Sequence, residues 1–487
     1  MSVLKKLAGD TLIYGLSSII GRMLYFLLMP LHTAMLDKRE FGNVTEIYAY
    51  TAFLIVIFTY RFETAYFRFG TDDKSTKPYD TALLSIVGST LILGSLLLFF
   101  SPQIANWIAF KGRTEFIQFI AITLSLDALA EIPMARLRLE NRSKRFVFIR
   151  IINICVNVIF NIYFLWWIPH SESIPSWYIP KYGVGYILIS NVLASFSTLI
   201  LLIPEYKKYN FAFNWEEWKM MFKYSWPLII VGMSGIINET FDRSIFKWVS
   251  PFSIAKNEAL LGEYGAAYKL TMILTLFTQA YRMGAEPFFF KSKNDENASR
   301  IYALAAKYFA LVGSIGMLAT LLYLDLLKKI LIHPKLWQGI EVVPILLLAN
   351  LCLGLYYNVS IWYRIKDKTK VGLYISLIGA ATTIIFNFYW IPRIGYLGCA
   401  WATLICYAVM LVLCYILGQK YYKVPYPIAN ILWYISLSFG FYLFSLILPP
   451  LQLIPKLFIH SCLFLIYLAV IFIVERNTWR KELRIVH

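Results

Sequence analysis

The sequence predicts an all-α polytopic membrane protein of about fourteen transmembrane helices: two parallel, pseudo-symmetric six-helix halves, then two C-terminal helices. Three observations carry this. Of 487 residues, 59% are hydrophobic and 15% charged, with a mean hydropathy of +0.61; a soluble domain runs near half apolar with about a quarter charged. The apolar residues fall into runs of spanning length, about 20 residues. The second half of the chain also repeats the motif order of the first.

In order, the runs are 9–36, 43–70, 79–101, 115–139, 146–168, 183–204, 220–249, 262–290, 301–324, 340–364, 371–391, 396–418, 428–449 and 455–474. The first follows directly on Lys5 and Lys6. It is too long for a signal h-region and shows no small-residue cleavage site, so it reads as a retained span. An even number of spans puts both termini on one side. Lys and Arg concentrate at the N-terminus and in 68–77, 136–145, 207–223, 291–300, 364–370, 420–423 and 476–484. These segments alternate with poorer ones, so they and both termini are expected in the cytoplasm.

The same bias, with anionic lipids as partners, accounts for the net charge of +18. No basic stretch with interleaved aromatics lies outside the runs, which excludes nucleic acid. All six cysteines sit inside runs without CxxC or Cys/His spacing; they read as small apolar residues, with neither metal nor disulfide implied. GxSxG, HExxH and P-loop patterns are absent, and the loops are too short for a catalytic domain. No catalytic residue, cofactor or enzyme activity is expected.

The duplication is direct. Arg138–Tyr163 aligns without a gap on Arg364–Tyr389, with identities at Arg138/Arg364, Lys144/Lys370, Ile149/Ile375, Ile152/Ile378, Ile159/Ile385, Phe160/Phe386, Asn161/Asn387 and Tyr163/Tyr389. An Ile-Pro closes each second run, Ile168-Pro169 and Ile391-Pro392. Glu40-Phe41-Gly42 echoes Glu263-Tyr264-Gly265, and Tyr60-Arg61 with Glu63 echoes Tyr281-Arg282 with Glu286. Six spans per repeat is an even number, so the halves run parallel about an axis along the membrane normal. The division expected is a first bundle over 1–205, a linker over 206–217, a second bundle over 218–424, two added helices over 425–475 and a basic tail over 476–487. Duplicated six-span halves are a transporter architecture, with the site near the midplane and rocking of one half on the other.

Ionisable groups at bilayer depth are costly and mark function by default. They are densest between Asn238 and Lys291. Arg61 and Arg282 occupy equivalent places; two guanidiniums could grip a diphosphate, or each could snorkel or pair with Glu63 and Glu286. Arg22 lies about a dozen residues from either end of its run, the hardest place from which to snorkel. Arg243 has a local partner beside it in Asp242. Lys269 and Lys307 are further cations of the same kind. Glu239, Asp242, Asp127 and Glu131 are candidates for a coupling ion, or for balancing the arginines; Asp127 and Glu131 share a helix face. Asn153, Asn157 and Asn161 form a stripe that reads chiefly as helix-packing glue. Pro30, Pro133, Pro227, Pro287 and Pro344 are candidate kinks.

Leu16-Ser-Ser-Ile-Ile-Gly-Arg22, Pro30-Leu31, Glu40-Phe-Gly42, Asp242-Arg243, Tyr268-Lys269-Leu270, Tyr281-Arg282, Glu286-Pro-Phe-Phe-Phe290, Asp367-Lys-Thr369 and Gly395-Tyr-Leu-Gly-Cys-Ala-Trp-Ala-Thr403 follow in order. Their order and spacing, over nearly the whole chain, resemble the bacterial polysaccharide (O-antigen, Wzx-type) flippases of the multidrug/oligosaccharidyl-lipid/polysaccharide (MOP) superfamily. The resemblance implies a carrier for a polyprenyl-diphosphate-linked oligosaccharide, working beside a polysaccharide polymerase and glycosyltransferases, with a cationic cavity for the diphosphate. Lipid II flippases share the fold, but their first span is richer in arginine. The multidrug antiporters of the superfamily use an acidic cavity, against which Arg22 argues. A membrane glycosyltransferase would need a long outer loop with a catalytic acid, and none is present. Whether H+ or Na+, the membrane potential or product consumption drives transport is left open by the sequence.

Overall fold

In the computed structural model the described residues are 23, 26–70, 77–207, 212–292, 295–366, 368–449 and 452–486. Contacts divide the chain into two units, Met1–Gly265 and Ala266–His487. Every long element described is helical, and among the described residues twelve helices are long and apolar enough to cross a membrane. The protein is therefore a multi-pass membrane protein of all-helical fold, as the hydropathy requires.

The first unit holds α1 (Met29–Met35), α2 (Lys38–Thr59), α3 (Phe62–Phe69), α4 (Lys77–Phe99), α5 (Ser101–Trp107), α6 (Thr114–Leu139), α7 (Ser143–Ile162), α8 (Gly183–Tyr206), α9 (Trp215–Val249) and the start of α10 (Ile254–Lys291). Helix α2 begins in a capping box: Asp37 Oδ1 accepts from the Glu40 amide at 2.8 Å, and the Asp37 amide donates back to Glu40 at 2.9 Å. Asn214 caps α9 with its side chain alone, accepting from the Glu217 amide at 3.1 Å.

The repeated Glu-aromatic-Gly motifs serve packing. A Cβ on Gly42 would stand 1.9 Å from the Glu258 carbonyl oxygen and one on Gly265 2.4 Å from Thr45 Oγ1, while one on Gly262, just before the second motif, would stand 2.1 Å from the Lys38 carbonyl oxygen. The backbones of α2 and early α10 touch there, which only glycine permits. Lys38 with Glu263 (2.5 Å) and Arg39 with Glu258 (3.0 Å) clamp the same crossing.

The asparagine stripe joins α7 to its neighbours. Asn153 donates to Thr198 at 3.0 Å, Asn157 to Asn191 at 2.8 Å, and Asn161 bonds His32 at 2.8 Å. Beyond Ile162, α7 widens into a π turn over Tyr163–Trp167 and tightens into a 3₁₀ turn over Ile168–His170.

The second unit holds the rest of α10, then α11 (Ala298–Leu322), α12 (Leu324–Leu331), α13 (Val343–Val359), α14 (Ile361–Ile365), α15 (Thr369–Ile394), α16 (Tyr396–Tyr421), α17 (Ile428–Ile447) and α18 (Leu453–Val486). Its core packs Tyr356, Trp362, Ile375, Cys406, Tyr407 and Met410. Helix α15 does not stop at its Ile-Pro but runs on to Ile394, and Gly395 ends it at φ +61. Pro133 and Pro227 lie inside helices, whereas Pro30 and Pro344 occupy first turns, where no N–H is missed, and so open helices rather than kink them. The two last helices are fastened to the bundle by charge: Lys307 Nζ of α11 meets Glu475 of α18 at 2.7 Å, and Tyr434 of α17 donates to that carboxylate at 2.5 Å. Helix α10, 38 residues long and rich in charge, is not among these twelve.

Candidate functional site

In the first unit the chain breaks at Tyr60-Arg61. Both residues are left-handed, at φ 32 and φ 58, and the helix restarts at Phe62. Non-glycine residues in this region cost about 1–2 kcal/mol each, and such strain collects at functional positions. Packing holds the break. The Tyr60 hydroxyl bonds Ser85 Oγ at 2.6 Å, Trp218 Nε1 donates to Ser85 Oγ at 2.6 Å, and the Tyr60 and Phe62 rings meet edge to face at 4.4 Å.

The break aims the Arg61 side chain across α9. Its guanidinium lies over Gly232, where a Cβ would come within 2.6 Å of Nη2. Among the described residues no carboxylate is within ion-pair distance of Arg61; Glu131 of α6 acts on it only through its field. Glu63 does not pair with Arg61. Its carboxylate takes Arg138 of α6 instead, whose guanidinium also covers Phe67 at 5.0 Å.

The second unit repeats that pairing. Arg364 of α14 donates to Glu286 of α10 at 2.7 Å. Arg138 and Arg364 are repeat mates, as are Glu63 and Glu286. Arg282 differs from Arg61 because α10 does not break. One turn before Glu286, it shares that carboxylate at 2.9 Å and lies 3.9 Å from the centre of the Tyr357 ring.

The remaining charges are dispersed. Arg243 stands 3.4 Å from Asp242 and also donates to the Glu239 carbonyl. Asp242 is buried, accepting from Tyr264 at 2.5 Å and from the Arg243 amide at 2.8 Å. The Glu239 side chain is exposed. Asp127 accepts from Ser195 at 2.6 Å, one turn from Glu131. Lys269 is half-buried on α10, in the second unit. Arg22 lies outside the described residues.

A buried network is not among the sequence candidates. Lys247, at the end of α9, pairs with Glu46 of α2 at 2.7 Å, and both are fully buried. Lys247 also donates to the Ile108 carbonyl at 2.7 Å, and Tyr50 donates to Glu46 at 2.8 Å. Glu46 sits in an apolar run, and the offset of Glu40/Glu263 makes Lys269, a cation, its repeat mate. An ionisable residue inside an apolar run, opposite a repeat mate of the other sign, is the signal that could have found it.

Residues 7–293, more than half of the chain, match the family described as "Polysaccharide biosynthesis protein". No curated protein matches the chain. Among solved structures it is similar to the lipid II flippase MurJ in an inward closed conformation, at 14% identity, 96% of this chain, 99% of that one and a TM-score of 0.74. It is also similar to multidrug resistance MATE family transporters of the MOP superfamily. An inward-facing one gives 14% identity, 81% and 97% coverage and a TM-score of 0.59. An outward-facing one gives 15% identity, 85% and 94% coverage and a TM-score of 0.56. At these identities the likeness concerns the fold. The chain belongs to the polysaccharide biosynthesis protein family and has the transporter fold of the MOP superfamily.

Proposed function

We propose that this transporter flips a polyprenyl-diphosphate-linked oligosaccharide from the cytoplasmic to the outer leaflet of a bacterial inner membrane, by alternating access, in surface polysaccharide biosynthesis. It would sit with both termini in the cytoplasm, between glycosyltransferases and a polymerase. The observation that carries the reading is Arg61. It is a permanent cation in a span, set at a strained break, with no carboxylate at ion-pair distance among the described residues. A guanidinium so placed can take a diphosphate in a bidentate grip. Arg282, with Glu286 only partly neutralising it, is the second cation of the reading, with Arg22, Arg243 and Lys269 as further contributors. The polyprenyl tail needs no protein cavity, because the bilayer already solvates it. Asp127, Glu131 and Glu239 are free to balance charge or to carry a coupling ion, H+ or Na+.

A second reading, ion-coupled export of a cationic drug, is favoured by Asp127 and Glu131 lying one turn apart on α6 beside Ser195. One experiment separates the two. In cells lacking this chain, lipid-diphosphate-linked oligosaccharide should accumulate on the cytoplasmic leaflet, and wild type should clear it. A charge-assisted contact is worth about 1.5–3 kcal/mol, so Arg61→Ala should weaken diphosphate binding roughly 10- to 100-fold and fail to clear the pool. If a peptidoglycan precursor accumulates instead, the substrate is of the lipid II kind, with the same diphosphate contact. No accumulation, with heightened drug sensitivity rescued by wild type but not by Asp127→Asn, would replace the flippase by the antiporter.

A further inference from the structure

A polar cavity of about 270 Å³ lies in the first unit, between the start of α2, the loop after α5, the approach to α8 and the start of α10. Its acidic groups are already engaged. Asp37 and Glu40 close the capping box, and Glu258 holds Arg39 at 3.0 Å with Lys247 at 3.9 Å. Its cations are less so. Lys111 and Lys181 are exposed, with no hydrogen bond or ion pair among the described residues. Arg113 reaches Glu115 only at 3.6 Å and lies over the Tyr182 ring, 5.3 Å from its centre.

Two further features point to a ligand. The Asn43 Oδ1 on the cavity wall is buried without a hydrogen-bond partner among the described residues, an acceptor that wants a donor. Ala109 and Lys181, both lining the cavity, are held at φ +60, where L residues are rare and where ligand clamps collect strain. A small inorganic anion would answer the lysines but offer Asn43 few or no hydroxyl donors. A neutral sugar would answer Asn43 but not the lysines.

We propose that this cavity binds a sugar unit bearing an oxyanion, a sugar phosphate or a sugar acid, as a site separate from Arg61. Hydroxyl groups donate to Asn43 while the oxyanion takes Lys111, Lys181 and Arg113. The choice of a sugar rests on the flippase reading. The oxyanion could come from the phosphate at the lipid-linked end of the substrate or from an acidic residue along its glycan.

Equilibrium dialysis on the full-length protein in nanodiscs tests this, with glucose 1-phosphate, glucuronate, glucose and inorganic phosphate as probes. At least one charged sugar should bind at least tenfold more tightly than glucose and than phosphate. The double substitution of Lys111→Ala with Lys181→Ala should weaken that binding at least tenfold, and Asn43→Leu should weaken it too. Gly235→Ala, where an added Cβ meets nothing within 4 Å, should leave it unchanged. Preference for glucose 1-phosphate assigns the site to the phosphate end, and preference for glucuronate to an acidic sugar. Inorganic phosphate binding as tightly as the charged sugars would overturn the proposal. So would the absence of charged-sugar binding, or binding abolished by Arg61→Ala and kept by the lysine double variant. Binding is read on purified protein, so failure of the cellular export experiment leaves this result standing.

Discussion

The Arg61 guanidinium rests on the bare backbone of Gly232: a Cβ there would lie 2.6 Å from Nη2 and 2.7 Å from Nε. The helix break sets the origin of the side chain, and the glycine leaves room for its end. One turn further along α9, Gly235 has nothing within 4 Å of where its Cβ would be. The two glycines therefore form a matched pair, one against the arginine and one in open space.

Gly232→Ala should displace the guanidinium and reduce export, while Gly235→Ala should leave export intact and, by helix propensity, stabilise α9 by up to about 1 kcal/mol. Losing one charge-assisted contact geometry corresponds to roughly a tenfold loss. The check is a double-mutant cycle on leaflet accumulation. In an Arg61→Lys background the slender ammonium clears a Cβ, so adding Gly232→Ala should cost nothing further. Equal losses from Gly232→Ala in both backgrounds would mean that the glycine serves helix packing and not Arg61.

The repeat-related bridges, Arg138 to Glu63 and Arg364 to Glu286, tie the fourth span of each half to its second. Glu286 stands between two arginines, Arg282 and Arg364, so Glu286→Gln should leave those arginines facing each other. The groups are about a third exposed, which limits the loss to about 1 kcal/mol or less. Thermal unfolding in detergent should show a small drop for Glu286→Gln, largely recovered when Arg364→Gln is added. A larger loss in the double variant would show that Arg364 stabilises through its packing.

Much of this organisation is legible in the chain. Hydropathy delivers the spans, and the Arg138/Arg364 and Glu63/Glu286 identities mark the four residues of the bridges. Which residue each arginine takes is not legible, because spacing within one helix says nothing of partners on another. Glu63 is two residues from Arg61, too close in a helix to face it, yet the break that sends Arg61 to Gly232 has no proline or glycine to announce it. Arg243 is the opposite case: its neighbour Asp242 is the carboxylate it meets. Glu46 and Lys247 are hidden for another reason. They lie in different runs, each among other charged residues, and only tertiary packing reveals that one neutralises the other.

That buried pair predicts a large asymmetry. Glu46 and Lys247 are fully buried at 2.7 Å, and removing one partner strands a charge at a cost of about 3–5 kcal/mol. Lys247→Met alone and Glu46→Leu alone should both depress the unfolding temperature sharply. The double variant should recover most of the loss, since a well-packed apolar pair is often as stable as a buried ion pair. Independent, additive losses would show that the two residues act through separate contacts, Lys247 on the Ile108 carbonyl and Glu46 on the Tyr50 hydroxyl.

The last prediction concerns acid. Asp325, in the short helix α12 outside the candidate spans, pairs with Lys328 of its own helix and with Lys456 of α18 at 2.5 Å. Burial pushes its carboxyl up, but the hydrogen bonds and charges of Lys328 and Lys456 outweigh burial and bring it down to about 2. Because the folded value is lower than the ordinary one, the stabilisation is fully present above the unfolded value near 4 and fades as pH falls through about 2. With partial exposure it amounts to at most about 2 kcal/mol. Wild type should therefore lose stability between about pH 4 and pH 2 more steeply than Asp325→Asn, which should start lower at neutral pH and converge on wild type in acid. Unfolding curves at a series of pH values would show this. Parallel curves for the two proteins across that window would mean that Lys328 and Lys456 do not hold the carboxylate in solution.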